Sequence, residues 1–441
     1  MTATSIESER VCVVGAGPSG LVVARQLRAA GIAYDHFEKH HDVGGIWDPE
    51  NEGSPIYKSA HFISSKYTSG FFGHEMPEDY PDYPSWRQIR DYIRQFAVDE
   101  DLYEAITFNA SVESADLQAD GTWQISVNGS MRHYRALVVA PGVTWLANQP
   151  SIPGSETFTG QLIHSSAYHD TSLFDDRKVL IVGAGNSGVD IACDAARSAD
   201  RAYLSVRRGY RFLPKHVFGV PLDVFIGSGA AAPAGVTLPE DPNALVDALV
   251  GDVTRFGLPA PDHNLLESHP IVNDQIIHHF THGDITAKPG LDRIAGNTAV
   301  FVDGSTEEVD VIVLATGYEQ KVPFLDDSLF EWKDGHPQLY LNVFNRTVDS
   351  LYVVGFVEFA DAAYKRFEEM AQLVALDLSL DGEKKKRFTE LKASHRPDLR
   401  GGVDYIDTPR HANYVETHAY QHVLSEIRDE FGLTSPAGMH S

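Results

Sequence analysis

Cysteine is almost missing from this 441-residue chain: only Cys12 and Cys193 occur, each inside a hydrophobic run. Two cysteines, neither in a C-x-x-C pair, exclude a disulfide framework, a cysteine-rich zinc site and a redox dithiol. Basic residues are scarce too. Lys and Arg number 36 against 62 Asp and Glu, a formal net charge of −26, and such a field disfavours nucleic acid and anionic membrane surfaces, which both need basic patches. No apolar stretch approaches the roughly 18 uncharged residues of a membrane-spanning helix. Met1–Arg10 shows no basic segment followed by an apolar one, so no signal peptide is expected. These absences point to a soluble, cytoplasmic protein with no nucleic-acid or membrane partner.

What the chain does have is a hydrophobic fraction of 43%, enough for a sizeable core, and a unit that occurs twice. Val11-Cys-Val-Val14 reads as a buried parallel strand, Gly15-Ala-Gly-Pro-Ser-Gly20 as a turn, and Leu21–Ala30 as a helix stopped by Gly31. A second strand, Ala33–Phe37, then ends in Glu38. The pattern recurs as Lys178–Val182, Gly183-Ala-Gly-Asn-Ser-Gly188, a helix to about Ala199, and Ala202–Val206. In a strand–GxGxxG–helix unit the first glycine makes the tight turn, the second lets the backbone approach a pyrophosphate, and the third lets helix pack on strand. The phosphates then meet the unpaired N–H groups at the helix N-terminus.

The two copies differ where they choose a ribose. Glu38 lies at a strand end, placed to accept hydrogen bonds from an unphosphorylated ribose. Ser205-Val-Arg-Arg208 offers two guanidiniums instead, suited to a 2′-phosphate. FAD is therefore expected in the first lobe and NADPH in the second. The fold class expected is α/β, two dinucleotide-binding Rossmann-like domains with the NADPH domain inserted into the FAD domain. Two further strands ending in small turns, Ala136–Gly142 and Val309–Gly317, bracket the second unit. The expected boundaries are 1–172 and 283–441 for the FAD domain and 173–282 for the NADPH domain. Gly227–Val236 reads as a loop, and Lys384-Lys-Lys-Arg387 as a solvated helix face.

The order of motifs resembles the flavin-containing monooxygenases, within the class B flavin-dependent monooxygenases. Gly44-Gly-Ile-Trp47 is similar to that family's flavin-binding motif. Pro55-Ile-Tyr-Lys-Ser59 and Met76–Pro84 look like its segment beside the flavin ring. Phe158-Thr-Gly-Gln-Leu-Ile-His164-Ser-Ser-Ala-Tyr168 matches its identifying F-x-G-x-x-x-H-x-x-x-[Y/F]. Asn273-Asp274, Ala315–Tyr318 and Leu351–Phe356 complete the series, and the resemblance runs from about residue 10 to 375.

The resemblance implies that NADPH reduces FAD, that reduced FAD and O2 form a C4a-hydroperoxyflavin, and that a small soft nucleophile, an amine or sulfide, takes the distal oxygen. FAD contacts are expected from Gly15, Gly17, Pro18, Ser19, Gly20, Glu38, Lys39, Gly45, Ile46, Trp47, Val112, Thr316, Gly317 and Gln320. NADPH contacts are expected from Gly183, Gly185, Asn186, Ser187, Gly188, Ser205, Arg207 and Arg208. His164 is read as a positioning residue.

One departure stands out. Relatives read Y-K-S-x-x-x-N beside the flavin, whereas Tyr57–Lys66 places Ile63 at the asparagine position, and isoleucine can neither donate nor accept a hydrogen bond. Ser64 is one candidate for the missing polar contact. An uncoupled NADPH oxidase therefore stays open beside heteroatom oxygenation, and the resemblance to the class leaves Baeyer–Villiger oxygenation of small ketones as a further alternative, judged on the motif ending Tyr168-His169. Tyr168 favours the heteroatom reading. The aromatic stretch Tyr67–Trp86 reads either as a substrate channel or as packing, and Phe356–Phe367 as a wall of the substrate pocket. His278-His-Phe-Thr-His282 is read as a polar segment and not as a metal site, because adjacent histidines face different ways. Homodimerisation is left open.

Overall fold

The computed structural model describes residues 9–228 and 236–433, so most of the loop expected at Gly227–Val236 lies outside the described residues. In chain order the elements used below are β1 (Val11–Val14), α1 (Pro18–Ala29), β2 (Tyr34–Phe37), α2 (Trp86–Asp99), β3 (Ile106–Thr107), β4 (Val112–Leu117), β5 (Trp123–Val127), β6 (Ser130–Tyr134) and β7 (Ala136–Val139). Then come β8 (Gln161–His164), β9 (Lys178–Val182), α3 (Asn186–Ser198), β10 (Arg201–Ser205), α4 (Gln275–His282), β11 (Ile285–Lys288), β12 (Leu291–Ala295), β13 (Thr298–Phe301), β14 (Thr306–Glu308) and β15 (Val311–Leu314). The last are β16 (Leu351–Val353), α5 (Ala363–Ser379), α6 (Gly382–Ser394) and α7 (Thr417–Phe431).

The chain divides into two units: 1–54, 66–143 and 320–441 form the first, 55–65 and 144–319 the second. The boundaries expected near 172 and 282 thus move to 143 and 319. The reason is strand pairing. Val309–Gly317 does not bracket the second unit; its strand β15 pairs in parallel with β9 and with β8, inside the second sheet.

The first unit carries a parallel sheet in the order β16-β7-β1-β2-β3. Its central strands β1 and β7 and the edge strand β16 are apolar runs and not alternating ones, as in a parallel sheet covered on both faces. Val11, Cys12 and Val13 are buried, as is all of β7. α1 starts at Gly17 with Pro18 in its first turn, where a missing N–H costs nothing. It buries Leu21, Val22, Ala24 and Leu27 and packs against α5. α2 is fixed by a capping box, Ser85 with Gln88, and buries Ile89, Ile93 and Phe96 at helical spacing. The antiparallel meander β4-β5-β6 places Trp123 and Tyr134 in one core with Cys12, Phe37, Leu137 and Phe356. Each Leu or Phe of this core contributes about 1.5–3 kcal/mol by leaving water.

The second unit repeats this order. Its parallel sheet runs β11-β10-β9-β15-β8, and its meander β12-β13-β14 precedes β15 as the first meander precedes β7. Leu180, Ile312, Leu314 and Phe301 form its core on the meander side. One strand breaks the parallel between the units. The edge strand beside β15 is β8, the earliest of its sheet, whereas its counterpart beside β7 is β16, the latest.

At the end of the first unit, Asp377 joins three elements and is fully buried. Its carboxylate accepts from Tyr352 Oη of β16 at 2.8 Å and from Lys392 and Lys385 of α6 at 2.6 Å each. Of the expected solvated run, Lys384, Lys386 and Arg387 are exposed while Lys385 turns to Asp377.

Candidate functional site

Both glycine turns are built alike. Gly15 has φ +99° and Gly183 φ +106°, conformations that only glycine adopts without strain. A Cβ on Gly15 would sit 2.4 Å from the Ala140 carbonyl oxygen, and one on Gly183 2.5 Å from that of Ala315. The third glycines are closer still: a Cβ on Gly20 would meet the Gly15 oxygen at 1.7 Å, and one on Gly188 the Gly183 oxygen at 2.1 Å. Neither helix has a side-chain N-cap, so the first-turn N–H groups of α1 and α3 are left for an anion. Around Gly185 there is open space: an added Cβ would meet nothing within 4 Å. The residues present fit a dinucleotide pyrophosphate in each unit.

In the first unit, Gly17 faces Gly45, whose added Cβ would lie 3.0 Å from the Gly17 Cα. Gly45, Ile46 and Trp47 form one 3-10 turn, held by Asn51 Nδ2 donating to the Gly45 oxygen at 2.6 Å. Ser19 is buried beside Gly355. Glu38 is buried and accepts from the Ala16 N–H at 2.6 Å and the His40 N–H at 2.9 Å, one on each oxygen. Burial pushes its carboxyl up, and these bonds oppose the shift. Each oxygen keeps a second lone pair for a ribose hydroxyl. Lys39 is exposed, and Val112 packs its side chain onto the core.

His36 carries no sequence motif and is part of this turn. It is fully buried in β2, and its Nε2–H donates to the Gly15 oxygen at 2.8 Å, pinning the first glycine. Burial lowers its pKa to about 4, so the ring is neutral. The only sequence signal was a histidine at an inward position of an apolar strand.

Thr316 and Gly317 are grouped with the second unit and Gln320 with the first. Thr316 and Gly317 follow β15 in the second unit, where Thr316 Oγ1 donates to the Asn148 oxygen at 2.6 Å. Gln320 opens the last stretch of the first unit and faces His336 at 3.0 Å. Asn186 spends its side chain on structure, donating to the Pro270 oxygen at 3.0 Å and accepting from Val272 N–H at 3.2 Å. Ser205 Oγ donates to the Pro289 oxygen at 2.8 Å. Ser187 is partly exposed in the first turn of α3. Arg208 donates to Ser268 Oγ at 2.9 Å and lies over the Tyr210 ring, whereas Arg207 is exposed, with no ion pair to a described residue.

The positions of the identifying motif each have a physical cause. Phe158 packs on the second core. A Cβ on Gly160 would strike the Asp310 oxygen at 2.2 Å. His164 ends β8, with Nδ1 accepting from the Ser166 N–H at 3.1 Å and Nε2–H donating to the Gly317 oxygen at 3.0 Å. Burial lowers its pKa, and both ring nitrogens are engaged. His164 borders a cavity of about 450 Å3 lined also by Gln149, Ser151, Ile152 and Leu314. Tyr168 is fully buried, its Oη donating to Asp194 Oδ2 at 2.9 Å.

Ile63 and Ser64 lie partly buried in the 55–65 strap of the second unit. The aromatic stretch is mostly packing: Phe71 stacks on Phe96 and Tyr364, and Phe72, Tyr83 and Trp86 are buried, while Tyr67 is exposed. Phe356 and Tyr364 are core residues, and Arg366 is paired with Glu369 at 2.7 Å. In the histidine run, His279 Nδ1 faces Asp284 at 2.9 Å.

Two parallel sheets, each with a glycine turn under a helix N-terminus, one ending in a carboxylate and the other in two arginines, define a two-dinucleotide flavoprotein oxidoreductase using FAD and NADPH. The sequence profile described as "Flavin-binding monooxygenase-like" matches residues 8–377, and the chain belongs to that family: it is a flavin-dependent NADPH monooxygenase. It is 30% identical to "Flavin-containing monooxygenase 5" of Homo sapiens over 91% of this chain and 81% of that one. The fold is similar to the S-allyl-L-cysteine S-oxygenase of Allium sativum, with a TM-score of 0.66, 21% identity, and 97% and 90% of the two chains covered. It is equally similar to a cyclohexanone monooxygenase, with a TM-score of 0.67, 18% identity, and 96% and 98% covered. Among the described residues no helix is long and apolar enough to cross a membrane.

Proposed function

We propose that this enzyme uses NADPH and O2 to oxygenate nitrogen or sulfur in small soft nucleophiles. The observation that carries this reading is the identifying motif ending in Tyr168, set in a chain whose curated relatives are named flavin-containing monooxygenases. When bound, FAD supplies the redox chemistry, accepting hydride from NADPH and passing electrons to O2 so that one oxygen atom reaches the substrate and the other leaves as water.

The chain's own groups bind and orient. The α1 N-terminus and Glu38 hold FAD by its phosphates and ribose; the α3 N-terminus with Arg207 and Arg208 holds NADPH and recognises the 2′-phosphate. His164 acts as a positioning residue. Its Nε2 proton is committed to the Gly317 carbonyl and its Nδ1 lone pair to Ser166, so it has no free atom with which to move a proton. Ile63 supplies an apolar wall, with Ser64 beside it as the polar neighbour.

A second reading, an oxidase that releases H2O2, is favoured by Ile63 alone, since no hydrogen bond can come from that side chain. The test is NADPH and O2 consumption, with H2O2 detection, across an amine, a sulfide and a ketone. N- or S-oxide formation matching NADPH use supports the proposal. Esters or lactones from the ketone alone would replace it with Baeyer–Villiger chemistry, and H2O2 matching NADPH use with the oxidase.

A further inference from the structure

Three motifs far apart in the chain converge on one face of α3. Asp190 and Asp194 are one turn apart on that helix, and like charges at this spacing destabilise an isolated helix. Here all four carboxylate oxygens have partners. Asp190 Oδ2 accepts from Tyr57 Oη at 2.9 Å and Oδ1 from Asn273 Nδ2 at 2.6 Å. Asp194 Oδ2 accepts from Tyr168 Oη at 2.9 Å and from Ser59 Oγ, and Oδ1 from Arg197 at 3.2 Å. Tyr57 and Ser59 are the first and third residues of the Y-K-S motif, Tyr168 ends the identifying motif, and Asn273 begins Asn273-Asp274. Between them the Lys58 N–H donates to the His169 oxygen at 2.7 Å, and Tyr57 packs on Tyr168 with ring centroids 5.7 Å apart. Tyr57, Tyr168, Asp194 and Asn273 are all buried.

We propose that Asp190 and Asp194 are positioning residues that latch the 55–65 strap onto α3, and so set where Ile63 and Ser64 stand during oxygen transfer. The latch explains why a short stretch preceding Lys66 belongs to the second unit while the residues on either side of it belong to the first. It also gives Tyr168 a task other than touching substrate: its hydroxyl and that of Ser59 share one carboxylate oxygen, so the end of the identifying motif and the strap are registered against the same atom. Ser65 N–H, donating to Asp223 Oδ2 at 2.7 Å, anchors the far end of the strap independently. The role in oxygen transfer rests on the monooxygenase reading above; the latch itself does not.

The test uses the FAD-loaded enzyme and the variants Tyr57→Phe, Ser59→Ala and Asp194→Asn. Hydrogen exchange is the readout that needs no turnover. Losing one charge-assisted hydroxyl bond should speed exchange of the Lys58 amide roughly tenfold, with α3 amides unchanged. In turnover, the share of NADPH ending as H2O2 should rise at least threefold, while KM for NADPH stays within twofold. If Asp194→Asn does not fold, the two hydroxyl deletions, which remove a single atom each, carry the test. Exchange at Lys58 equal to wild type overturns the latch. Faster exchange with unchanged H2O2 overturns its part in oxygen transfer. A wild type that oxygenates nothing in the panel overturns the functional reading instead, and leaves the exchange result to judge the latch.

Discussion

Acid should weaken this protein through His36 in a way one substitution can isolate. The ring is fully buried, its Nε2–H is held by the Gly15 oxygen, and its Nδ1 has no partner among the described residues. Protonation would place an unpaired N–H and a charge in the first core. The pKa falls from 6.5 to about 4 on folding because of burial. A depressed folded-state pKa means the contribution is fully present above pH 6.5 and is lost as pH falls toward 4. At 1.36 kcal/mol per pKa unit the full loss is about 3 kcal/mol, with about 2 kcal/mol gone by pH 5. Carboxylates oppose the trend: burial raises Glu38 and Glu368, and raises Glu369 to about 7, so these gain stability as pH falls. A wild-type profile alone therefore mixes the two signs. His36→Gln keeps an N–H able to reach Gly15 and removes the titration, so the difference between the two proteins cancels the shared carboxylates. Urea unfolding of the FAD-loaded enzymes from pH 7.5 to 4.5 should show the gap between them shifting by about 2 kcal/mol in favour of the variant by pH 5. Parallel profiles would refute the assignment of this titration to His36.

Other outcomes follow from the same geometry. Arg207→Ala with Arg208→Ala should raise KM for NADPH roughly 10- to 100-fold and leave KM for NADH nearly unchanged, because only the 2′-phosphate loses its charge-assisted partners; steady-state kinetics with both cofactors decide it. Ile63→Asn should lower the fraction of NADPH released as H2O2, and an unchanged fraction would count against Ile63 as the source of uncoupling. Lys392→Met removes the buried one of the two lysines paired with buried Asp377 and should cost about 3–5 kcal/mol in urea unfolding; a cost below about 1 kcal/mol would show the Asp377 cluster to be unimportant.

The glycine turns were readable in the amino-acid sequence because what they require is local. A carbonyl 1.7 Å from a would-be Cβ leaves room for nothing but glycine, and the flanking apolar runs reveal the strand and helix. Sheet membership was not readable in the same way. Whether 311–314 joins the first or second sheet depends on pairing with residues 132 positions away, and both choices bury the same apolar run. The two-residue β3 is too short to show periodicity. The place of Asn186 in the motif points to a cofactor contact, while its side-chain bonds to Pro270 and Val272, more than 80 residues on, could not be read from the motif. The strap was recognised by motif, but its anchor was invisible, since nothing in Tyr57 or Ser59 announces a carboxylate some 130 residues on.

The unequal placement of the two edge strands has a consequence for synthesis. As the chain emerges from the ribosome, β8 appears before the rest of its sheet, so by residue 319 the second unit has every strand it needs, and the strap that docks on it was made long before. The first unit is in the opposite position. Its fully buried β7 is complete at Val139 but stays an open, apolar edge until Leu351–Val353 is made, more than 200 residues later. Of the two, the NADPH-binding unit can therefore close first during translation, while the unfinished flavin-binding sheet is the part of the nascent chain most exposed to mispairing with other strands.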